Sequence, residues 1–232
     1  MAVTRRRVGV FGGSFDPPHA THIALATAAM AQAGLSELRI FPTGRAWHKS
    51  RTTSDAAHRL AMARIAFEGI SGVVVDAREI ERDGSTYTLD TLRELQAEQP
   101  DAQLVLLMGS DQARALASWY GWREIVSMAV VYVAQRLESA PYSAFVGTAV
   151  SRESIESGSV STDPPALPAV RFEPGLLPDL PAGARFEMLE LPPATTSATD
   201  IRRRVMRGES LGGLVPSGVA RYIENHHLYV PA

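Results

Sequence analysis

The sequence predicts an α/β fold, a doubly wound parallel sheet with helices on both faces, and two observations carry that prediction. Apolar runs of strand length alternate with stretches of helical period, the βαβα order that yields a parallel sheet covered on both sides. The motifs that carry chemistry each follow one of those strands or open one of those helices. Such sheets bind ligands there, outside the carboxyl ends of the strands.

Taken in order, Val8-Gly9-Val10-Phe11 reads as a short buried strand. A glycine turn and Pro17-Pro18 then lead into an Ala-rich helix from His19 to Ala33. Strands follow at Leu38 to Phe41, Val73 to Val75, Leu104 to Met108 and Ala129 to Val133. The helical stretches between and after them are Asp55 to Glu68, Thr88 to Glu98 and Trp119 to Val126. From about 138 to 181 the pattern gives way to a Ser-, Pro- and Gly-rich region, expected as an insertion or mobile connection, either a surface loop or a substrate lid. Regular structure resumes at Arg185 to Leu191 and continues into two C-terminal helices, completing a Rossmann-like order with no internal repeat.

At 232 residues with 45% hydrophobic content the chain can build one sizeable core, so residues 1–232 are expected to form a single domain. A net charge of −2 supplies no basic field for nucleic acid or an anionic membrane, so small anions must be bound locally. Cysteine is absent, which excludes disulfides and thiolate chemistry and suits a reducing compartment. The few residues before the first strand leave no room for a signal peptide and no apolar run reaches membrane-span length. The expected setting is the cytoplasm.

The stretch Gly12-Gly13-Ser14-Phe15-Asp16-Pro17-Pro18-His19-Ala20-Thr21-His22 sets two histidines behind a glycine turn after a strand. Glycines let the backbone approach a ligand, and a helix N-terminus offers unpaired N–H groups and partial positive charge to a phosphate. His19 and His22 are three apart, on one helical face. No Gly-Lys-Ser/Thr follows, which excludes a Walker loop, and the third glycine of the dinucleotide fingerprint is missing.

This stretch resembles the GGxFDPxHxGH signature of nucleotidyltransferases with an HxGH motif, with Thr21 in place of glycine. Further segments narrow the resemblance to the bacterial nicotinate mononucleotide adenylyltransferases. Glu79 to Leu92, EIERDGSTYTLDTL, is similar to their ExxRxGxSYTxDTL, with Thr86 replacing serine. Thr196-Ser197-Ala198-Thr199-Asp200-Ile201-Arg202 is similar to their SSTxIR, with Ala198 replacing the second serine. Pro42 to Lys49 resembles their proline-rich loop ending in His-Lys or His-Arg, with Trp47 where a proline is usual, and Gly109-Ser110-Asp111 and Trp119-Tyr120 fall at matching places. After Ala129 to Val133 the family has Arg-Pro-Gly, whereas this chain has Arg136-Leu137-Glu138. Leu214 to Tyr229 resembles the family's C-terminal LVPxxVxxYIxxxxLY and is assigned to folding.

The resemblance implies adenylyl transfer from ATP, carried with Mg²⁺, to nicotinate mononucleotide. His19, His22, Lys49 and Arg202 would be the catalytic groups, with Gly12, Gly13, Ser14, Phe15, Asp111, Ser197 and Thr199 on ATP. His48, Thr86, Tyr87, Trp119, Tyr120 and Arg136 would hold the mononucleotide. A phosphate nucleophile is already ionised, so catalysis reduces to alignment and charge neutralisation, with the histidines expected to donate most strongly when protonated. Arg59, opening the helix after His58, corresponds to an arginine the family often has at that point. Each residue also has a plainer reading: Ser197 or Thr199 as helix caps, His48 and Lys49 as a solvated loop, Arg59 as a surface helix arginine, Trp122 as core. Another HxGH transferase, or a non-catalytic nucleotide-binding homologue, is the alternative function.

Overall fold

The computed structural model describes residues 5–44, 53–136, 173–191 and 196–230. Alternation of side chains to opposite faces is what builds its centre. In β4 (Gln103–Gly109) Leu104, Leu106 and Met108 pack on one side and Val105 and Leu107 on the other. The strand is buried on both faces, as a central parallel strand must be. Five more strands join it: β1 (Arg7–Gly13), β2 (Glu37–Pro42), β3 (Val73–Val75), β5 (Ala129–Arg136) and β6 (Phe186–Leu191). Every pairing is parallel and the order is β3-β2-β1-β4-β5-β6.

Helices α1 (Ala20–Gln32), α2 (Ala56–Phe67), α7 (Ala198–Met206) and α8 (Ser217–Asn225) cover one face, burying Leu25, Met62, Ile201 and Ile223 against Ile40 and Leu107. On the other face α4 (Thr88–Glu98) and α6 (Trp122–Met128) bury Leu92, Leu95 and Ile125 against Leu106 and Val131. Two short helices, α3 (Arg78–Glu81) and α5 (Ser110–Ala115), follow β3 and β4. This is the doubly wound sheet expected, and its order reverses between β1 and β4, which opens a crevice at the carboxyl ends of those strands.

Two sequence expectations change. The helix expected from Trp119 starts at Trp122: the 3₁₀ turn Leu116–Ser118 leads into extended backbone at Trp119, and Gly121, at φ 63°, stands as the cap before the helix. A Cβ there would also meet Leu89 Cδ2 at 2.3 Å, so any side chain would be disfavoured by φ and would have to displace Leu89. Trp119 and Tyr120 therefore stand on a loop, not a helix. Most of the 138–181 region lies outside the described residues, but its last part packs on the body. Leu177 is buried in the core and Asp179 accepts from Arg123 at 3.0 Å. No helix among the described residues is long and apolar enough to cross a membrane.

Candidate active site

The loop between β1 and α1 is built around a buried ring. Phe15, at φ 47° and 1% exposed, packs edge-on against Phe11, Phe67 and His22, with centroid distances of 5.4, 5.7 and 5.0 Å. It was expected to contact ATP. Its side chain is core, a large ring in a left-handed backbone retained by packing, and it backs the His22 ring. A Cβ on Gly13 would press on that ring at 3.1 Å, whereas one on Gly12 would meet nothing within 4 Å. Space above the loop thus opens at Gly12.

His19 caps α1 in an extended conformation, and its N–H donates to His22 Nδ1 at 3.1 Å. The two rings stack with centroids 3.7 Å apart. Since Nδ1 accepts, the proton of neutral His22 is assigned to Nε2, which leaves one N–H as donor. Burial, then the adjacent His19, pushes His22 well below the usual histidine range. The neutral form of His22, with Nε2–H as its one donor, is thereby favoured, and the stronger donation that protonation would bring is disfavoured. The Ala20 N–H is also committed, to Leu214 O at 2.8 Å, so it is not among the amides that a phosphate would find. Thr21 Oγ1 donates to Thr196 O at 3.3 Å, so the residue replacing the family's glycine links α1 to the start of α7.

At α7, Ser197 does what a cap does: its Oγ accepts from Asp200 N at 3.2 Å and pairs with the Asp200 carboxylate at 2.5 Å. Thr199 Oγ1 accepts from Arg202 Nη2 at 3.0 Å, and Arg202 Nη1 donates to Asp16 O at 2.6 Å. The second motif is thereby set against the first, with Arg202 at the junction.

Beneath the loop lies a polar framework that sequence reasoning missed. Asp16 is 2% exposed and accepts from Tyr229 Oη at 2.8 Å and Ser54 N at 3.4 Å. Arg59, also 2% exposed, donates to the carbonyls of Ser54, Ser14, Thr43 and Gly44 at 3.0, 3.1, 2.7 and 3.3 Å. It is not a surface arginine but the tie between the loops after β1 and β2. Its place one turn into α2, after the Asp55 cap, was the available signal.

The other half of the site is more open. Asp111, in the first turn of α5, is almost fully exposed and paired with Arg114. Trp119 is half-buried and Tyr120 exposed, with the Tyr120 ring 4.8 Å from that of Tyr87. Thr86 is buried, and its Oγ1 has no hydrogen-bond partner among the described residues. Gly44 lies against this loop: a Cβ there would come within 2.0 Å of Glu79 O and 3.2 Å of Thr86 Cγ2. Trp122 is core, as read from the sequence. His48 and Lys49 lie outside the described residues. So does the side chain of Arg136, whose backbone ends β5 beside Leu191.

Comparison with known proteins agrees with this geometry. The cytidylyltransferase-like family matches residues 10–204. The chain is 44% identical to a probable nicotinate-nucleotide adenylyltransferase of Albidiferax ferrireducens, over 98% of this chain and 100% of that protein. It is 38% identical to one of Methylibium petroleiphilum, over 99% and 95%. In fold it is similar to Plasmodium falciparum nicotinic acid mononucleotide adenylyltransferase complexed with NaAD, with a TM-score of 0.68 at 15% identity over 97% of each chain. A crevice at the strand-order reversal, a stacked histidine pair above it and full-length identity of this degree lead to one conclusion: the chain belongs to the cytidylyltransferase-like family and, within it, to the nicotinate-nucleotide adenylyltransferases.

Proposed function

We propose that the crevice transfers the adenylyl group of ATP to nicotinate mononucleotide, giving nicotinate adenine dinucleotide and pyrophosphate. The observation that carries this reading is one loop that holds the stacked His19–His22 pair, receives Arg202 at Asp16 O and leaves open space at Gly12. The mononucleotide phosphate attacks the α-phosphorus; one P–O bond forms and the bond to the pyrophosphate oxygen breaks, with the charge leaving on pyrophosphate. No proton need be removed from an ionised phosphate, so the protein's work is alignment and charge stabilisation.

In this reading His22 donates through Nε2–H without a change of protonation, and Arg202 supplies the fixed positive charge. Lys49 adds a second cation, with Gly12, Gly13, Ser14, Ser197 and Thr199 around the triphosphate and Asp111 at the ribose. Trp119 and Tyr120 offer aromatic faces to the nicotinate ring, and the Thr86 hydroxyl, without a partner among the described residues, supports a polar ligand there; Tyr87, His48 and Arg136 complete the mononucleotide side. Mg²⁺ belongs with the nucleotide. The donors of the first loop suit phosphate oxygens, Asp16 is committed to Tyr229 and Ser54, and bound Mg²⁺ would neutralise triphosphate charge. A cytoplasmic setting is part of the reading, supported by the lack of cysteine.

The test is pyrophosphate release with ATP and Mg²⁺, nicotinate mononucleotide against its amide, with the dinucleotide identified by mass. Preference for the acid is expected. ATP binding without release from either acceptor would make the protein a non-catalytic nucleotide binder. His22→Ala should cost roughly 3 kcal/mol of transition-state stabilisation, a hundredfold to a thousandfold in kcat; near wild-type turnover in a folded variant would remove His22 from the mechanism.

A further inference from the structure

The C-terminal segment, assigned to folding on its apolar spacing, ends in a contact that spacing does not explain. Tyr229 reaches back across the molecule, and its hydroxyl donates to Asp16 Oδ1 at 2.8 Å. The backbone is strained to achieve this: His227 and Tyr229 adopt φ 49° and 65°, in the left-handed region that side chains disfavour. Strain of this kind persists only where surrounding contacts over-determine it. The same segment grips the first motif a second time, through Leu214 O and the Ala20 N–H.

Asp16 is the relay. Its carboxylate is fixed from two sides, by Tyr229 and by Ser54, which orients the residue's peptide. The carbonyl of that peptide accepts from Arg202 Nη1 at 2.6 Å. We propose that Tyr229 is a positioning residue for adenylyl transfer, acting through Asp16 to set the place of the Arg202 guanidinium over the first loop. The inference rests on the role given above to Arg202. Freed from Tyr229, Asp16 can turn, its carbonyl shifts, and Arg202 keeps its charge but loses its aim.

Tyr229→Phe keeps the ring and removes only the hydroxyl. The expected result is a fall in kcat of about tenfold, the scale of a small misplacement of a charge-stabilising group, with KM for nicotinate mononucleotide unchanged. The decisive measurement is the double-mutant cycle with Arg202→Ala. In that background Tyr229→Phe should leave kcat unaltered while any cost to the melting temperature persists. Asp16→Asn, which weakens the link from the loop side by putting a neutral acceptor in place of a charged one, should show a smaller loss with the same dependence on Arg202. Wild-type kcat in Tyr229→Phe, or the same loss with and without Arg202, would overturn the proposal while leaving the role of Arg202 intact. Full turnover by Arg202→Ala alone would remove both.

Discussion

Asp16 and Glu79 are both buried carboxylates, 2% and 6% exposed, and their surroundings push them in opposite directions. Burial alone would raise either one. For Asp16 the hydrogen bonds from Ser54 and Tyr229, with the charge of Arg202, outweigh burial and bring its carboxyl below the usual range. Glu79 has one hydroxyl, that of Thr91 at 2.9 Å, and burial aided by the neighbouring charges of Asp76 and Glu94 pushes it up to about 7 despite Arg82. The difference teaches what each half of the site needs. Beneath the first loop a fixed negative charge stays ionised within a set of cations and donors; beneath the Thr86 loop a carboxyl is tolerated because it can carry a proton.

The comparison breaks first at Arg59. Replacing it by Met strands the carbonyls of Ser14, Thr43, Ser54 and Gly44 and removes positive charge near Asp16. A loss of about 3–5 kcal/mol is expected, the scale of breaking a buried charged network. Urea unfolding measures it, and a loss below about 1 kcal/mol would mean that water replaces the guanidinium at little cost.

Next comes Asp16→Asn. It exchanges charged acceptor bonds for neutral ones, so roughly 1–3 kcal/mol is expected at neutral pH. Because the folded carboxyl lies below its ordinary value, the wild-type advantage is present above about pH 4 and is lost as the pH falls through the folded pKa. Persistence of the difference below that window would show that the substitution acts by packing and not by charge.

The opposite sign is expected at Glu79. With the folded carboxyl at about 7 and its ordinary value at 4.5, the folded state is fully favoured below 4.5 and loses stability as the pH rises through 7. Glu79→Gln keeps an acceptor for Thr91 and cannot ionise, so it should be the more stable protein by about 2 kcal/mol at about pH 8, with the gain gone near pH 5. His22 works against Glu79 in the same window. With its neutral form favoured in the fold, it contributes stability above 6.5 that is lost as the pH falls, and that contribution is common to Glu79→Gln and wild type and cancels in their difference. No gain at about pH 8 would show that Glu79 ionises in the fold without penalty.

Much of this arrangement is legible in the sequence, and the rest is hidden for a definite reason. The apolar runs locate the central strands, and the motifs at their ends locate His19, His22 and Arg202, because strand ends and helix starts are local events. What supports those residues is not local. Tyr229 and Asp16 are 213 positions apart, and the periodicity that assigned the C-terminal segment to folding says nothing of where its last hydroxyl lands. The Phe15 ring and the Arg59 guanidinium both turn inward, and neither composition nor spacing reveals which side of a loop faces the core. The left-handed Gly121 was missed because the aromatic run around it continues a helical pattern until φ is known.

The smallest effect is expected on the surface above Glu79, where Arg39, Arg78 and Glu98 form a charged ladder. Glu98 bridges Arg39 and Arg78 at 3.1 and 2.7 Å, but its side chain is 45% exposed. Water competes for each partner, and ordering the long side chains offsets part of the attraction. Glu98→Gln should therefore cost no more than about 1 kcal/mol. Salt separates this ladder from the framework around Asp16: at about 1 M the screening length falls to roughly 3 Å, so the cost of Glu98→Gln should vanish while that of Asp16→Asn persists. If both costs fell together with salt, the framework beneath the first loop would be as exposed to ions as the ladder, and a carboxylate retained by buried donors could not be what sets Asp16 apart from Glu79.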